Sequence, residues 1–190
     1  MSNLYFAYGS NMDAEQMADR CPGAECAGVG TLPDYRFIIN QRGYATLRSE
    51  EYAETPGVLW RLDAAHERAL DRYEGYRVGL YDKCWRELRT ESGDEIKALV
   101  YIDHRNQRLG TPRDGYIKRI IAGAEAYGLP EGHVGVLRAW PHKRDLKGFN
   151  QLISDIKAGN HASRGVRQHK EESAQALKEE REELPPTGYS

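Results

Sequence analysis

Short apolar stretches broken by polar turns recur through the first 140 residues and predict strands mixed with a few helices. Residues 5–8 read Tyr-Phe-Ala-Tyr, an aromatic run of strand-forming residues that stops at Gly-Ser-Asn in residues 9–11. The next segment, residues 12–20, places its methionines and Arg20 at helical spacing. The first twenty residues therefore predict a strand, a tight turn and a helix.

The middle of the chain predicts further strands. Residues 24–40 have the pattern of a long strand interrupted at Pro33-Asp34, followed across a short turn by a strand over residues 44–47. Thr55-Pro56-Gly57 predicts a break, after which residues 58–62 form a separate apolar strand.

A helix is predicted over residues 64–73, with Asp63 as its N-cap and Gly75 as the residue that ends it. The remaining predicted elements are a hairpin of residues 79–89 and 95–102 with its turn at 92–94, a helix over 113–127 and a short helix over 131–140. Taken together, these elements indicate an α+β domain.

The composition changes after residue 146. From His161 onward the chain consists largely of Arg, Lys, Gln and Glu, which cannot bury much apolar surface. We therefore expect one domain over residues 1–146 and a charged C-terminal tail over residues 147–190, partly helical or disordered.

Charge and composition exclude several classes of protein. A net charge of -2 and a pI near 6.3 argue against a nucleic-acid partner. The sequence has no apolar run of the length that a membrane span needs, so we expect no membrane partner. Three cysteines without a Cys-x-x-Cys pair and six scattered histidines predict neither disulfides nor a metal site. We expect a soluble cytoplasmic protein without a cofactor.

Two sites could carry chemistry. A turn between a strand and a helix leaves backbone NH groups unpaired, and Ser10 and Asn11 are good N-cap residues, so this turn could bind a carboxylate or a phosphate, or could be a simple connection. Glu74 lies in the last turn of a helix, where the helix dipole and burial among Tyr73 and Tyr76 would raise its pKa. Such a carboxyl group can act as a general acid and base, but charged residues are mostly exposed, so the residues alone leave open that it is an ordinary surface residue.

Four stretches resemble one known family. Tyr-Phe-Ala-Tyr-Gly-Ser-Asn-Met in residues 5–12 is similar to the signature of the gamma-glutamylcyclotransferase and AIG2-like family. The further matches are Gly-Tyr-Ala-Thr in residues 43–46, Leu-Asp-Arg-Tyr-Glu-Gly-Tyr in residues 70–76 with Gly-Leu-Tyr in 79–81, and Gly-Tyr-Ile-Lys-Arg-Ile-Ile in residues 115–121. The resemblance spans about residues 3–140.

This resemblance implies a small closed mixed β-barrel flanked by helices. It implies that Glu74 is the catalytic acid and base, and that the residues binding the substrate are Tyr5, Phe6, Ala7, Tyr8, Gly9, Ser10, Asn11, Tyr81 and Tyr116. The implied reaction cyclises a small gamma-glutamyl substrate to 5-oxoproline and releases an amino acid or amine. The alternatives are a gamma-glutamyl amine or a protected metabolite as substrate, or a non-catalytic binding module, and the oligomeric state stays open.

Overall fold

The computed structural model describes residues 2–140. Within this range the strands are β1 (Asn3–Ala7), β2 (Glu25–Ile39), β3 (Ala45–Leu62), β4 (Asp82–Thr90) and β5 (Glu95–Ile102). The α-helices are α1 (Ala14–Arg20), α2 (Ala64–Tyr73), α3 (Tyr116–Ala126) and α4 (Glu131–Arg138). The tail expected over residues 147–190 lies outside the described residues, so its structure stays a prediction.

The strands close into a barrel in the order β1-β3-β2-β4-β5. Neighbouring strands are antiparallel, except that β1 runs parallel to β5 where Tyr5 lies opposite Leu99. The barrel is therefore mixed and closed, and with its flanking helices it confirms the predicted fold class. Within residues 2–140 no helix is long and apolar enough to span a bilayer.

For the two longest strands, β2 and β3, one prediction is correct and one is wrong. The interruption of β2 at Pro33-Asp34 is present, because the pairing register shifts between Pro33 and Tyr35 and Asp34 has a φ of 59°. The predicted break at Thr55-Pro56-Gly57 is absent, since this tripeptide continues β3 and pairs with residues 30–32 of β2. Tertiary pairing overrides the local turn signal there.

Gly57 allows β1 to approach β3 closely. A Cβ atom at this position would lie 2.7 Å from the Phe6 ring and also against the carbonyl oxygen of Ala7. A glycine is therefore needed where the end of β1 packs against β3, and this contact fixes the end of β1 at which the turn of residues 9–11 starts.

Helix α3 packs beside that turn. Its buried residues Ile117, Ile120 and Ala124 belong to the predicted apolar face. Gly123 lies against the backbone of Met12, where a Cβ atom would be 2.8 Å away. The helix begins at Tyr116, later than predicted, because Gly115 has a left-handed φ of 75°. This start places the Tyr116 side chain beside the turn.

Candidate active site

A cavity of about 250 Å³ lies between the end of β1, the end of α2 and the start of α3. It brings together Glu74 and most of the predicted binding residues, namely Tyr5, Tyr8, Gly9, Ser10, Asn11, Tyr81 and Tyr116. It is also lined by Tyr73, which was expected beside Glu74, and by residues that the sequence did not indicate as site residues, namely Arg20, Arg42, Tyr44, Ala45, Leu80 and Tyr101. Residues far apart in the chain thus form one pocket.

Phe6 and Ala7 are not among the residues that line this cavity. Both are buried, with 0% and 1% of their surface exposed, and Phe6 packs against Gly57 and near the ring of Tyr8. Their observed contacts are those of the barrel core. Their predicted role in substrate binding stays a prediction.

The turn after β1 differs from the predicted helix start. Residues Ser10–Met12 form a 3-10 turn, closed by bonds from Met12 N to Gly9 O at 3.0 Å and from Asp13 N to Ser10 O at 3.1 Å. The N-cap of α1 is Asp13, whose carboxylate accepts a bond from Gln16 N at 2.8 Å. The prediction that Ser10 or Asn11 caps the helix is therefore wrong, because the extra turn separates them from it.

The NH groups of Gly9, Ser10 and Asn11 precede the first bond of this turn, so the turn itself provides no partner for them. Gly9 is closely surrounded, because a Cβ atom there would lie 3.2 Å from the Ala45 Cβ and 3.4 Å from the Tyr116 hydroxyl. The backbone of Gly9 therefore forms part of the cavity wall at a point where a larger residue would intrude.

Asn11 organises the polar side of the cavity. Its side-chain amide donates to the Tyr5 hydroxyl at 2.8 Å and to Glu74 Oε1 at 3.1 Å. Its amide oxygen accepts bonds from Gln16 Nε2 at 2.9 Å and from Arg20 at 2.7 Å. Only 3% of Asn11 is exposed. The residue therefore acts as a fixed hub that orients the Glu74 carboxylate.

Glu74 is the C-cap residue of α2, and Gly75, which follows it with a φ of 64°, ends the helix as predicted. Its side chain is 17% exposed and its Oε1 lies 3.8 Å from an Arg20 nitrogen. Burial raises the pKa of Glu74, while the Arg20 charge and the Asn11 hydrogen bond lower it. The carboxyl group therefore holds its proton more readily than an exposed glutamate.

The source of this burial differs from the prediction. Tyr73 and Tyr76, expected to shield the carboxylate, are 57% and 43% exposed. Tyr73 lines the cavity and packs beneath Arg20, whose guanidinium carbon lies 4.6 Å from the ring centroid. Glu74 is instead enclosed on the side of Asn11 and Arg20.

Tyrosines form the remaining wall. The Tyr81 hydroxyl donates to the Ala45 carbonyl at 2.7 Å, and the Ala45 NH donates to the Tyr116 hydroxyl at 3.3 Å. Burial raises the pKa of Tyr116 to about 12 and also raises the pKa values of Tyr8 and Tyr81 well above the ordinary tyrosine value. These side chains are therefore neutral hydroxyl groups near neutral pH. They can orient a substrate but not remove its protons.

The additional lining residues gave only weak signals in the sequence. Arg20 lies one helical turn beyond Gln16, and both contact Asn11 from α1. Arg42, Tyr44 and Ala45 lie in or beside the Gly-Tyr-Ala-Thr stretch, which indicated a strand but no site. Throughout residues 2–140, no three His, Cys, Asp or Glu side chains are grouped so that they could hold a metal ion.

Comparison with known proteins gives consistent relatives. A family model described as the AIG2-like family matches residues 54–137. The chain is 32% identical over 167 residues to a Mus musculus protein named gamma-glutamylcyclotransferase, covering 82% of this chain and 88% of that protein. A Homo sapiens protein of the same name is 31% identical over 165 residues, covering 82% and 87%. A solved structure of a gamma-glutamyl cyclotransferase has a TM-score of 0.67 at 26% identity and covers 82% of this chain and 99% of its own.

Proposed function

Because the chain belongs to the gamma-glutamylcyclotransferase family, we propose that it cyclises a gamma-glutamyl group to 5-oxoproline and releases the attached amino acid or amine. The chain is an enzyme of the gamma-glutamylcyclotransferase kind. The observation that supports this reaction best is the Glu74 carboxylate, held against Asn11 at the wall of a tyrosine-lined cavity with a raised pKa.

The reaction needs little from the protein beyond positioning and proton transfer. The α-amine of the gamma-glutamyl group attacks its own γ-carbonyl carbon, so a carbon–nitrogen bond forms and closes a five-membered lactam. The bond from that carbon to the leaving nitrogen then breaks. The α-ammonium must lose a proton and the leaving nitrogen must gain one. No water molecule is consumed, because the nucleophile is the amine of the substrate itself. A cavity that keeps the substrate curled brings the two reacting atoms of one molecule together.

Glu74 supplies the proton transfers in this proposal. Its ionised form takes the proton from the α-ammonium, and its protonated form delivers the proton to the departing nitrogen. A pKa raised by burial favours this exchange, since a carboxylate with an ordinary pKa is a weaker base and takes the α-ammonium proton less readily. Asn11 holds the carboxylate in one orientation during both transfers.

The turn after β1 receives the α-carboxylate of the substrate. The NH groups of Gly9, Ser10 and Asn11 provide donors there, and Arg20 adds a positive charge beside Glu74. The hydroxyl groups of Tyr8, Tyr81 and Tyr116 bound the space in which the gamma-glutamyl chain would curl. We also place this reaction in the cytoplasm, a proposal supported by three cysteines that form no disulfide.

The test is release of 5-oxoproline from gamma-glutamyl dipeptides, glutathione and gamma-glutamyl amines by the wild-type protein and a Glu74→Gln variant. The variant keeps a side chain that can accept the Asn11 bond but cannot transfer protons, so kcat should fall about 10²- to 10⁴-fold. Glu67→Gln is the matched control, because Glu67 lies on the same helix but pairs with Lys83 outside the cavity. Full turnover in Glu74→Gln would remove Glu74 from this role.

A further inference from the structure

Arg42 lies in the turn between β2 and β3 and lines the same cavity as Glu74. Its guanidinium carbon lies 5.8 Å from the ring centroids of both Tyr44 and Tyr81. The Tyr81 hydroxyl is held by the Ala45 carbonyl, so this aromatic support is itself fixed. Arg42 therefore presents a cation to the cavity from a different element than the one that carries Glu74.

The two cavity arginines are engaged differently. Arg20 donates to Asn11 at 2.7 Å, lies 3.8 Å from Glu74 and stacks on Tyr73. The Arg20 guanidinium is therefore already engaged with Asn11 and the Glu74 carboxylate. Within residues 2–140, by contrast, the Arg42 guanidinium donates no hydrogen bond, and its ion-pair partner is Asp103 at 3.6 Å.

Asp103 does not need Arg42 as a hydrogen-bond donor. This carboxylate is fully buried and accepts bonds of 2.9 to 3.1 Å from the side chains of Asn40 and Asn106 and from the backbone NH groups of Arg105 and Asn106. The negative charge of Asp103 holds the Arg42 guanidinium in place. The N–H groups of Arg42 are thus available to a ligand in the cavity, and its side chain is 26% exposed.

A guanidinium whose hydrogen-bonding groups are unused is suited to a carboxylate, which it can bind through two parallel bonds. A gamma-glutamyl amino acid carries two carboxylates, one on the glutamyl α-carbon and one on the leaving amino acid. The first is assigned above to the turn after β1. We propose that Arg42 binds the second carboxylate and so makes the enzyme select gamma-glutamyl amino acids over gamma-glutamyl amines. This inference rests on the proposed function and concerns the acceptor end of the same cavity.

The experiment compares gamma-glutamyl-alanine with gamma-glutamyl-alaninamide and gamma-glutamyl-ethylamine, which differ in the carboxylate but keep the reacting amide. Wild-type kcat/KM should be about 10- to 100-fold higher for the acid, the range expected for a hydrogen-bonded charge pair. In Arg42→Gln the acid should fall to the level of the amide, while the two uncharged substrates change by less than about twofold. Arg42→Lys should retain part of the preference, because the charge stays but the paired bonds are lost.

Arg86→Gln is the matched control. The Arg86 guanidinium also lies over a tyrosine ring, at 5.6 Å from the centroid of Tyr35, but neither residue lines the cavity, so its loss should leave the acid-to-amide ratio unchanged. A wild-type enzyme with no preference for the acid, or an Arg42→Gln variant that loses all three substrates equally, would overturn the inference. Absence of 5-oxoproline from every wild-type reaction would instead overturn the proposed function, and this inference with it.

Discussion

Replacing Asn11 by alanine tests how the protein tunes Glu74, the carboxylate to which we assign the proton transfers. The Asn11 side chain makes four hydrogen bonds, two donated to Tyr5 and Glu74 and two accepted from Gln16 and Arg20. The bond to Glu74 stabilises its ionised form, so its removal should raise the pKa of Glu74 further. The acid limb of the kcat/KM profile should therefore move to higher pH, because more of the enzyme is then protonated and unable to take the α-ammonium proton.

The same substitution should reduce stability. Four hydrogen bonds at a net value of about 1 kcal/mol each give a total of about 4 kcal/mol for the loss in unfolding free energy if none of the partners finds water. Arg20, with 23% of its side chain exposed, can turn to water, whereas Tyr5 is only 4% exposed and would lose a partner for its buried hydroxyl. We therefore expect a loss of about 2 to 4 kcal/mol, measured by urea unfolding.

The assay is 5-oxoproline release across the acidic to neutral pH range, with Gln16→Ala as control. Gln16 donates one bond to Asn11 and one to Ser10 but does not contact Glu74, so its loss should lower stability by about 1 to 2 kcal/mol while leaving the acid limb in place. An acid limb that stays fixed or moves to lower pH in Asn11→Ala would refute the assigned role of the hydrogen bond. A stability loss no larger than that of the control would refute the description of Asn11 as a hub.

Two further predictions concern stability. Burial lowers the pKa of His133 from 6.5 to about 4, so the folded state resists protonation and unfolding free energy should decrease by up to about 3 kcal/mol as pH falls through that window. In His133→Leu this decrease should be absent from urea titrations; a pH dependence like that of wild type would contradict the assignment. Gly57→Ala should lower Tm, at a cost of about 1 to 3 kcal/mol, because its methyl group would meet Phe6 and Ala7. Gly132→Ala, in an open helical position, is the control and should be neutral or stabilising, so equal effects of the two substitutions would contradict the packing argument.

Local signals predicted those parts of the molecule in which neighbouring residues decide the structure. The helix over Ala64–Tyr73 begins after the Asp63 N-cap and ends before Gly75, because capping groups and a left-handed glycine act within one turn. The hairpin of β4 and β5 also follows from its alternation and turn, although β4 begins at Asp82 and not at residue 79 as predicted. The same signals failed at Thr55-Pro56-Gly57, where pairing with β2 keeps the strand continuous.

Some residues of the candidate site could likewise be predicted from the sequence, and others could not. Glu74 and the turn of residues 9–11 were identified from the residues and from the family resemblance, and the cavity contains both. Arg20, Arg42 and Tyr101 were missed, because a single arginine or tyrosine has no local pattern that distinguishes a cavity wall from a surface. The shielding of Glu74 was also assigned to the wrong neighbours, since Tyr73 and Tyr76 adjoin it in sequence but are exposed.

The sequence by itself indicated most of the elements, the α+β class and Glu74 as the carboxylate to which we assign the proton transfers. Only the tertiary structure decided which groups surround that carboxylate. Asn11 and Glu74 are 63 positions apart and meet because β1 closes the barrel between β3 and β5. Arg42 reaches the same cavity from the β2–β3 turn. Local propensity acts over a few residues, whereas burial, pKa and hydrogen-bond partners depend on contacts that exist only once the barrel has closed.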